Sequence, residues 1–162
     1  MTSILSPQAA QADSTRITHA RVVAHTVDKS KPKARENHWS IYLLHQDGKS
    51  STRINIRAEN GKQTGLLEWT QHDYTKATSA VIYLEYEALE GVTVSSVAHV
   101  IYRLGRDTHM MAEGGSRAWV YYIIDDLAQN SCISPSSPYH LWPNLSFLYL
   151  RDESDTDHRK SS

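Results

Sequence analysis

The sequence predicts an α+β domain in which a mostly antiparallel sheet is covered by two main helices. Segments in which apolar residues alternate come first along the chain, and segments with a helical period follow them. The pair Asp47-Gly48 stands between two alternating segments and is a strong signal for a hairpin turn. The 162 residues are 40% hydrophobic and 22% charged, which is ordinary for one globular domain.

Residues 15–150 are expected to form this domain. The flanking segments 1–14 and 151–162 are small, polar or charged, so both are expected to be disordered tails. Strands are predicted at 17–27, 37–44, 53–57, 66–74, 79–86 and 146–150, each rich in residues that favour β-structure. The alternation is cleanest at 53–57, where two isoleucines point inward and three polar residues point outward.

Two later segments have a helical period. Thr93 is a suitable helix cap, and the apolar residues at 97, 100, 101 and 104 share one face before Gly105 ends the helix. A second helix follows the loop 106–115, with its apolar stripe at 120, 123, 124 and 127 and with Asp125 and Asp126 facing away. The proline-rich segment 134–143 is predicted to be a loop.

Composition excludes several classes of function. A net charge of −1 provides no basic field for nucleic acid, and the short basic run from Lys29 to Arg35 is typical of a solvated loop. The single Cys132 cannot form an internal disulfide, which favours a reducing compartment, so we expect a cytoplasmic protein. No export signal, membrane span, metal-ligand spacing or nucleotide-binding motif occurs, so no membrane partner, metal or cofactor is expected.

The strand 37–44 has two different faces. Its odd-numbered residues form a core face, whereas His38, Ser40 and Tyr42 point the other way. If the return strand shares that core, Arg53, Asn55 and Arg57 join the same polar face. His38 is then the candidate base, because a histidine titrates near neutral pH and Asn55 is within cross-strand reach of its ring.

A helix start is the third part of the predicted site. Gly114 and Gly115 precede Ser116, Arg117 and Trp119, and the first-turn N–H groups of a helix stabilise an anion. His38, Asn55 and Ser116 therefore have the residue types of a nucleophilic triad. Tyr42, Arg53, Arg117 and Trp119 are the predicted substrate-binding residues.

This order of His-Trp, a polar residue on the return strand and a small nucleophile at a later helix start resembles the permuted papain-like fold. That group includes lecithin:retinol acyltransferase-like and NlpC/P60-like thiol enzymes. The resemblance covers about residues 36–128. It implies His38 as base, Asn55 as its orienting partner and Ser116 in the place of the family's cysteine.

The chain also resembles an uncharacterised family of small ascomycete proteins linked to fungal metabolism. The shared features are Asn37-His38-Trp39, the Arg53-x-Asn55 strand and Gly115-x-Arg117-x-Trp119 before the last helix. This resemblance implies a fungal origin and a role beside a biosynthetic pathway.

Three functions remain open from the sequence. The first is a cofactor-independent enzyme of secondary metabolism that performs an acid/base cyclisation, isomerisation or rearrangement of a small organic substrate. The second is a papain-like hydrolase or acyltransferase, or a descendant that lost the cysteine. The third is a non-catalytic module that binds a ligand or another protein. A homo-oligomer is compatible with all three.

Overall fold

The computed structural model describes residues 2–27, 37–58, 62–111, 114–149 and 159–161. Its strands are β1 (Thr2–Leu5), β2 (Ile17–His25), β3 (Trp39–His45), β4 (Ser51–Ala58), β5 (Thr64–His72), β6 (Ala80–Glu87), β7 (Thr108–Met110), β8 (Phe147–Tyr149) and β9 (Arg159–Ser161). Its helices are α1 (Pro7–Ala12), α2 (Val94–Arg103), α3 (Gly115–Gln129) and α4 (Ser137–Asn144). The predicted α+β class with a mostly antiparallel sheet is confirmed. The basic run at 29–35 lies outside the described residues.

The main sheet has seven strands. Six of them lie in the order β1-β5-β4-β3-β2-β6, and the seventh, β7, pairs with β5 next to β1, on the same edge of β5. Neighbouring strands are antiparallel throughout. The hairpin predicted at Asp47-Gly48 joins β3 to β4. Gly48 has a positive φ of 74°, and the Asp47 carboxylate accepts the backbone N–H groups of Lys49 and Ser50 at 2.7 and 2.9 Å.

One face of the sheet and the helices form the core. Ile41 and Leu43 of β3 and Ile54 and Ile56 of β4 are fully buried there. The predicted apolar stripe of α3 packs on this face, with Val120, Ile123, Ile124 and Leu127 all at 0% exposure. Asp126, which the sequence predicts to face away, is instead buried at the helix side, where it pairs with Arg106 Nε at 2.8 Å.

The opposite, polar face of the sheet is crossed by the connection from β5 to β6. Three strands, β4, β3 and β2, lie between these two, so the connection spans about 19 Å at the usual strand spacing. Residues 73–79, called the strap, reach at most about 23–25 Å, which is enough for that distance. Ser51 Oγ donates to Tyr74 O at 2.7 Å, and Thr26 N donates to Ser79 O at 2.8 Å, so the strap is tied down near both of its ends.

The strap buries a small second cluster on the polar face. Val23, Tyr42 and Leu44 are buried, with at most 7% of each exposed, and pack against Ala77 and Ala80. The Arg21 guanidinium donates to the carbonyl of Thr75 in the middle of the strap. The polar face is therefore partly closed, which is the condition for a pocket on it.

The N-terminal segment differs from the disordered tail expected from its composition. It contains β1, which pairs with β5 through Leu5↔Trp69, and α1, whose first turn is capped by the Ser6 hydroxyl. Ala10 of α1 is fully buried, and Ser95 Oγ of α2 donates to Gln11 O at 2.6 Å. An available sheet edge and helix neighbour hold this segment, and its own composition reveals neither of them.

Two further differences lie near the C-terminus. The segment predicted to be a proline-rich loop forms α4, because Pro138 is in the first turn, where no helical N–H is needed, and Pro143 is only in the last turn. Of the second predicted tail, residues 159–161 form β9, and residues 151–158 lie outside the described part of the chain.

The helix starts follow backbone constraints. Thr93 caps α2 as predicted, through a reciprocal capping box with Ser96. Gly114 caps α3 in a left-handed conformation with φ of 96°, and a Cβ at this position would lie 2.7 Å from Ala118 Cβ. Only glycine meets both conditions, so Gly114 fixes where α3 begins.

We expect Gly114→Ala to destabilise the protein more than Gly91→Ala. Both glycines have a positive φ, so both variants carry about 1–2 kcal/mol of backbone strain, but a Cβ at Gly91 meets nothing within 4 Å. The contact with Ala118 adds about 1–3 kcal/mol for the first variant. Urea denaturation measures the difference, and equal free energies of unfolding for the two variants would contradict this account.

Candidate functional site

A pocket of about 480 Å³ lies on the polar face between the sheet and the strap. The sheet contributes His25, His38, Tyr42 and Arg53, with Thr26 at the end of β2. The strap contributes the other wall, formed by Tyr74, Lys76, Ala77, Thr78 and Ser79. The volume and the mixture of rings, hydroxyl groups and cations suit a small organic ligand.

Strand register brings the sheet residues together. Val23 is opposite Ser40 in the β2–β3 pair, and Tyr42 is opposite Arg53 in the β3–β4 pair. The backbone N–H of His25 donates to His38 O at 2.8 Å, so the two histidines are neighbours at the strand ends. Their ring centroids are 6.0 Å apart.

His38, Asn55 and Glu68 form a directed hydrogen-bond chain. Asn55 Nδ2 donates to Glu68 Oε1 at 3.0 Å, and Asn55 Oδ1 bonds His38 Nε2. A carboxylate only accepts, so the asparagine must present its N–H₂ to Glu68 and its oxygen to the histidine. His38 Nε2 is therefore the protonated ring nitrogen, and Nδ1 has the lone pair of the neutral ring. Arg57 Nε holds the other Glu68 oxygen at 3.0 Å.

His25 forms a second network with the opposite role. Its Nε2 lies 2.7 Å from Ser40 Oγ and 3.4 Å from Arg53 Nη2, and Nδ1 lies 2.7 Å from Ser79 Oγ in the strap. Because a guanidinium only donates, Nε2 accepts, so Nδ1–H donates to Ser79. Burial, the nearby Arg53 charge and His38 lower the pKa of His25 to about 3, so its ring stays neutral.

Tyr42 and Arg53 occupy the centre of the face. Burial raises the pKa of Tyr42 to about 12, against the opposing effect of Arg53, so the phenol keeps its proton. The Arg53 guanidinium lies 5.8 Å from the Tyr42 ring centre and donates from Nε to Ser40 Oγ at 3.1 Å. A protonated phenol and a cation therefore lie next to each other at the wall of the pocket.

The three predicted residues of the α3 start lie elsewhere. Ser116 is 8% exposed, and its Oγ accepts the backbone N–H of Trp39 at 3.0 Å on the helix side of the sheet. Trp119 is fully buried in the core, where its indole N–H donates to Arg106 O. Arg117 donates to Leu145 O at 3.0 Å and lines a separate, mainly apolar cavity of about 320 Å³. Of the predicted residues, the structure thus brings together His38, Asn55, Tyr42 and Arg53.

Sequence reasoning did not select several residues of this site. His25 is separated from Arg21 by an even number of positions on β2, so both side chains point to the same face of the sheet. The position of His25 on the polar face therefore follows once β2 is paired with β3. Glu68 faces Asn55 directly, but only the β4–β5 register shows it. No local sequence pattern indicates that Tyr74, Lys76 and Ser79 of the strap line the pocket, because the path of a connection is determined by the order of the strands that it joins.

The family model described as "Domain of unknown function (DUF7770)" matches residues 20–161. The chain belongs to this family. The matched region of this DUF7770 member contains every residue of the pocket. No curated protein and no solved structure matches the chain.

Within the described ranges, no group of three or more His, Cys, Asp or Glu residues is arranged to bind a metal ion. No helix in the described part of the chain is both long and apolar enough to cross a membrane.

We expect His25 to contribute to the change of the free energy of unfolding with pH. Below the free imidazole pKa of about 6.5, the unfolded chain binds a proton that the folded chain rejects. The free energy of unfolding should therefore be highest above pH 6.5 and decrease by up to about 1.4 kcal/mol per pH unit toward pH 3.

Urea denaturation at several pH values between 7.5 and 4.5 measures this slope. His25→Gln removes the titrating group, so its slope should be shallower than that of the wild type. Equal slopes would show that His25 does not reject the proton in the folded state.

Proposed function

We propose that this protein is a cofactor-independent enzyme that moves a proton on a small organic molecule, in a cyclisation, isomerisation or rearrangement. The observation that supports this most is the His38–Asn55–Glu68 chain at the pocket wall. It fixes one tautomer and one ring orientation, and both are needed for a base to accept a proton efficiently. His38 Nδ1 is the proton acceptor in this proposal.

The neighbours of His38 supply the second half of such a reaction. Removing a proton next to a carbonyl places negative charge on the carbonyl oxygen. The phenol of Tyr42, whose raised pKa keeps it protonated, and the cation of Arg53 are pocket groups that stabilise this charge.

The position of Ser116 supports acid/base chemistry over acyl transfer. A nucleophilic mechanism needs the serine hydroxyl hydrogen-bonded to its base. Here that hydroxyl accepts the Trp39 N–H, whereas the His38 ring bonds Asn55 on the other face. If the chain descends from papain-like enzymes, it then retains their fold but not their nucleophilic mechanism.

The setting of the reaction is also part of the proposal. The resemblance to small ascomycete proteins supports a step in fungal secondary metabolism. The single cysteine supports the cytoplasm.

Exchange of C–H protons for deuterium tests the reaction class without a known substrate. We expect the wild type to accelerate exchange next to the carbonyl in members of a panel of 2-oxo and 3-oxo acids in D₂O, followed by ¹H NMR. His38→Ala should slow this exchange by about 10²- to 10⁴-fold, the usual contribution of a general base. Exchange at the wild-type rate in His38→Ala would contradict the role of His38.

Ser116→Ala is the matched control. It should exchange at the wild-type rate, and the loss of one buried hydrogen bond should cost about 1 kcal/mol of stability. Loss of activity in this variant at unchanged stability would favour the hydrolase instead. A wild type that binds panel members without any exchange would favour a ligand-binding module.

Glu68 is a positioning residue in this mechanism, and two substitutions test it. Glu68→Gln keeps an oxygen that accepts from Asn55 Nδ2, whereas Glu68→Ala does not. We expect Glu68→Ala to slow the exchange by about tenfold and Glu68→Gln to retain most of it. Ring ¹⁵N shifts should show His38 protonated at Nε2 in the wild type and in Glu68→Gln but as a tautomer mixture in Glu68→Ala. The same tautomer in all three proteins would remove Glu68 from the mechanism.

A further inference from the structure

The cations of the polar face differ in whether they are neutralised. Arg21 pairs with Glu85, with Nε 2.9 Å from its carboxylate, and Arg57 pairs with Glu68 at 3.0 Å. Arg53 lies between these two arginines on the sheet, yet it has no carboxylate partner among the described residues. Its contacts are a hydroxyl, a neutral imidazole and the face of a phenol ring.

The Arg53 guanidinium is partly oriented before any ligand arrives. Nε donates to Ser40 Oγ at 3.1 Å and Nη2 approaches His25 Nε2 at 3.4 Å, while no described residue accepts from Nη1. Ser40 is fully buried and His25 is 7% exposed, so rigid groups hold one edge of the fork. A planar fork held in this way matches the two oxygens of a carboxylate.

The strap adds a second cation to the same pocket. Lys76 lines it, and its Nζ lies 5.2 Å from the centre of the Tyr83 ring. Lys76 has no carboxylate partner within the described part of the chain. With His25 neutral, the described residues of the pocket lining therefore include two positive side chains and no negative one, which favours an anionic ligand.

We propose that the pocket binds a small organic carboxylate, with the Arg53 fork holding the carboxylate group. This inference names the substrate class of the proposed acid/base enzyme. It rests on the proposed function for the statement that the carboxylate reacts, whereas the statement that the carboxylate binds is independent of that function. A carboxylate fits better than a phosphate ester, because phosphate sites typically use backbone N–H groups at a helix start. Here strands form the pocket wall, and their N–H groups pair with neighbouring strands. The tyrosine and histidine rings of the lining suit a ring-bearing acid.

Benzoate is the probe, because it has the charge and the ring but no C–H proton to exchange. We expect saturable binding by calorimetry, with shifts confined to the ring resonances of His25, Tyr42 and Tyr74 in NMR spectra. Arg53→Gln should weaken binding by at least about tenfold, as loss of a charged hydrogen bond does. Arg103→Gln makes the same charge change on the helix side and should bind as the wild type does. Benzamide, which lacks the charge, should not bind.

Four results would overturn the proposal: equal benzoate affinity in Arg53→Gln and the wild type, tighter binding of inorganic phosphate than of benzoate, NMR shifts centred on Arg117, or no saturable benzoate binding.

If Arg53→Gln does not fold, Arg53→Lys replaces it. This variant keeps the charge but loses the fork, so its binding should also be weaker, and unchanged affinity would count against the proposal. Benzoate binding together with absent proton exchange would refute the proposed reaction while leaving this inference in place.

Discussion

The order of strands in the sheet is the constraint on which the rest of the molecule depends. Because β5 and β6 are separated by β4, β3 and β2, the chain between them must cross a face of the sheet. The helices already cover one face, so the strap takes the other. That route encloses polar side chains which an uncovered sheet would expose to solvent. The pocket is therefore a consequence of topology as much as of its lining residues.

Partial burial beneath the strap determines the protonation of the polar face. A buried polar group without a hydrogen-bond partner costs about 1–3 kcal/mol, so donors and acceptors must match. Charged groups that only donate or only accept then decide the direction of each bond. Glu68 orients Asn55, which places the proton of His38 on Nε2, whereas Arg53 makes His25 an acceptor on Nε2. Two histidines 6.0 Å apart thus acquire different tautomers from different neighbours.

The sequence was sufficient for the parts of the site that lie on one hairpin. Strand parity and the Asp47-Gly48 turn predict that His38, Tyr42, Arg53 and Asn55 share a face, since these signals are local. Contacts that need the register of a more distant strand were out of reach, as with Glu68 on β5. The disordered tail predicted for residues 1–14 differs from the structure for the same reason, because β1 is held by the edge of β5.

The alternation of β3 explains why Ser116 and His38 are on different faces. Adjacent residues of a strand point to opposite faces, so Trp39 and His38 cannot both point toward the same helix. α3 packs on the face that contains Trp39, and Ser116 accepts the Trp39 N–H from that side. A nucleophile from this helix start would have to pass the edge of the sheet to reach the imidazole. Among the described residues, the partners of His38 in a reaction therefore come from the polar face and the strap, where Tyr42, Arg53 and Lys76 line the pocket.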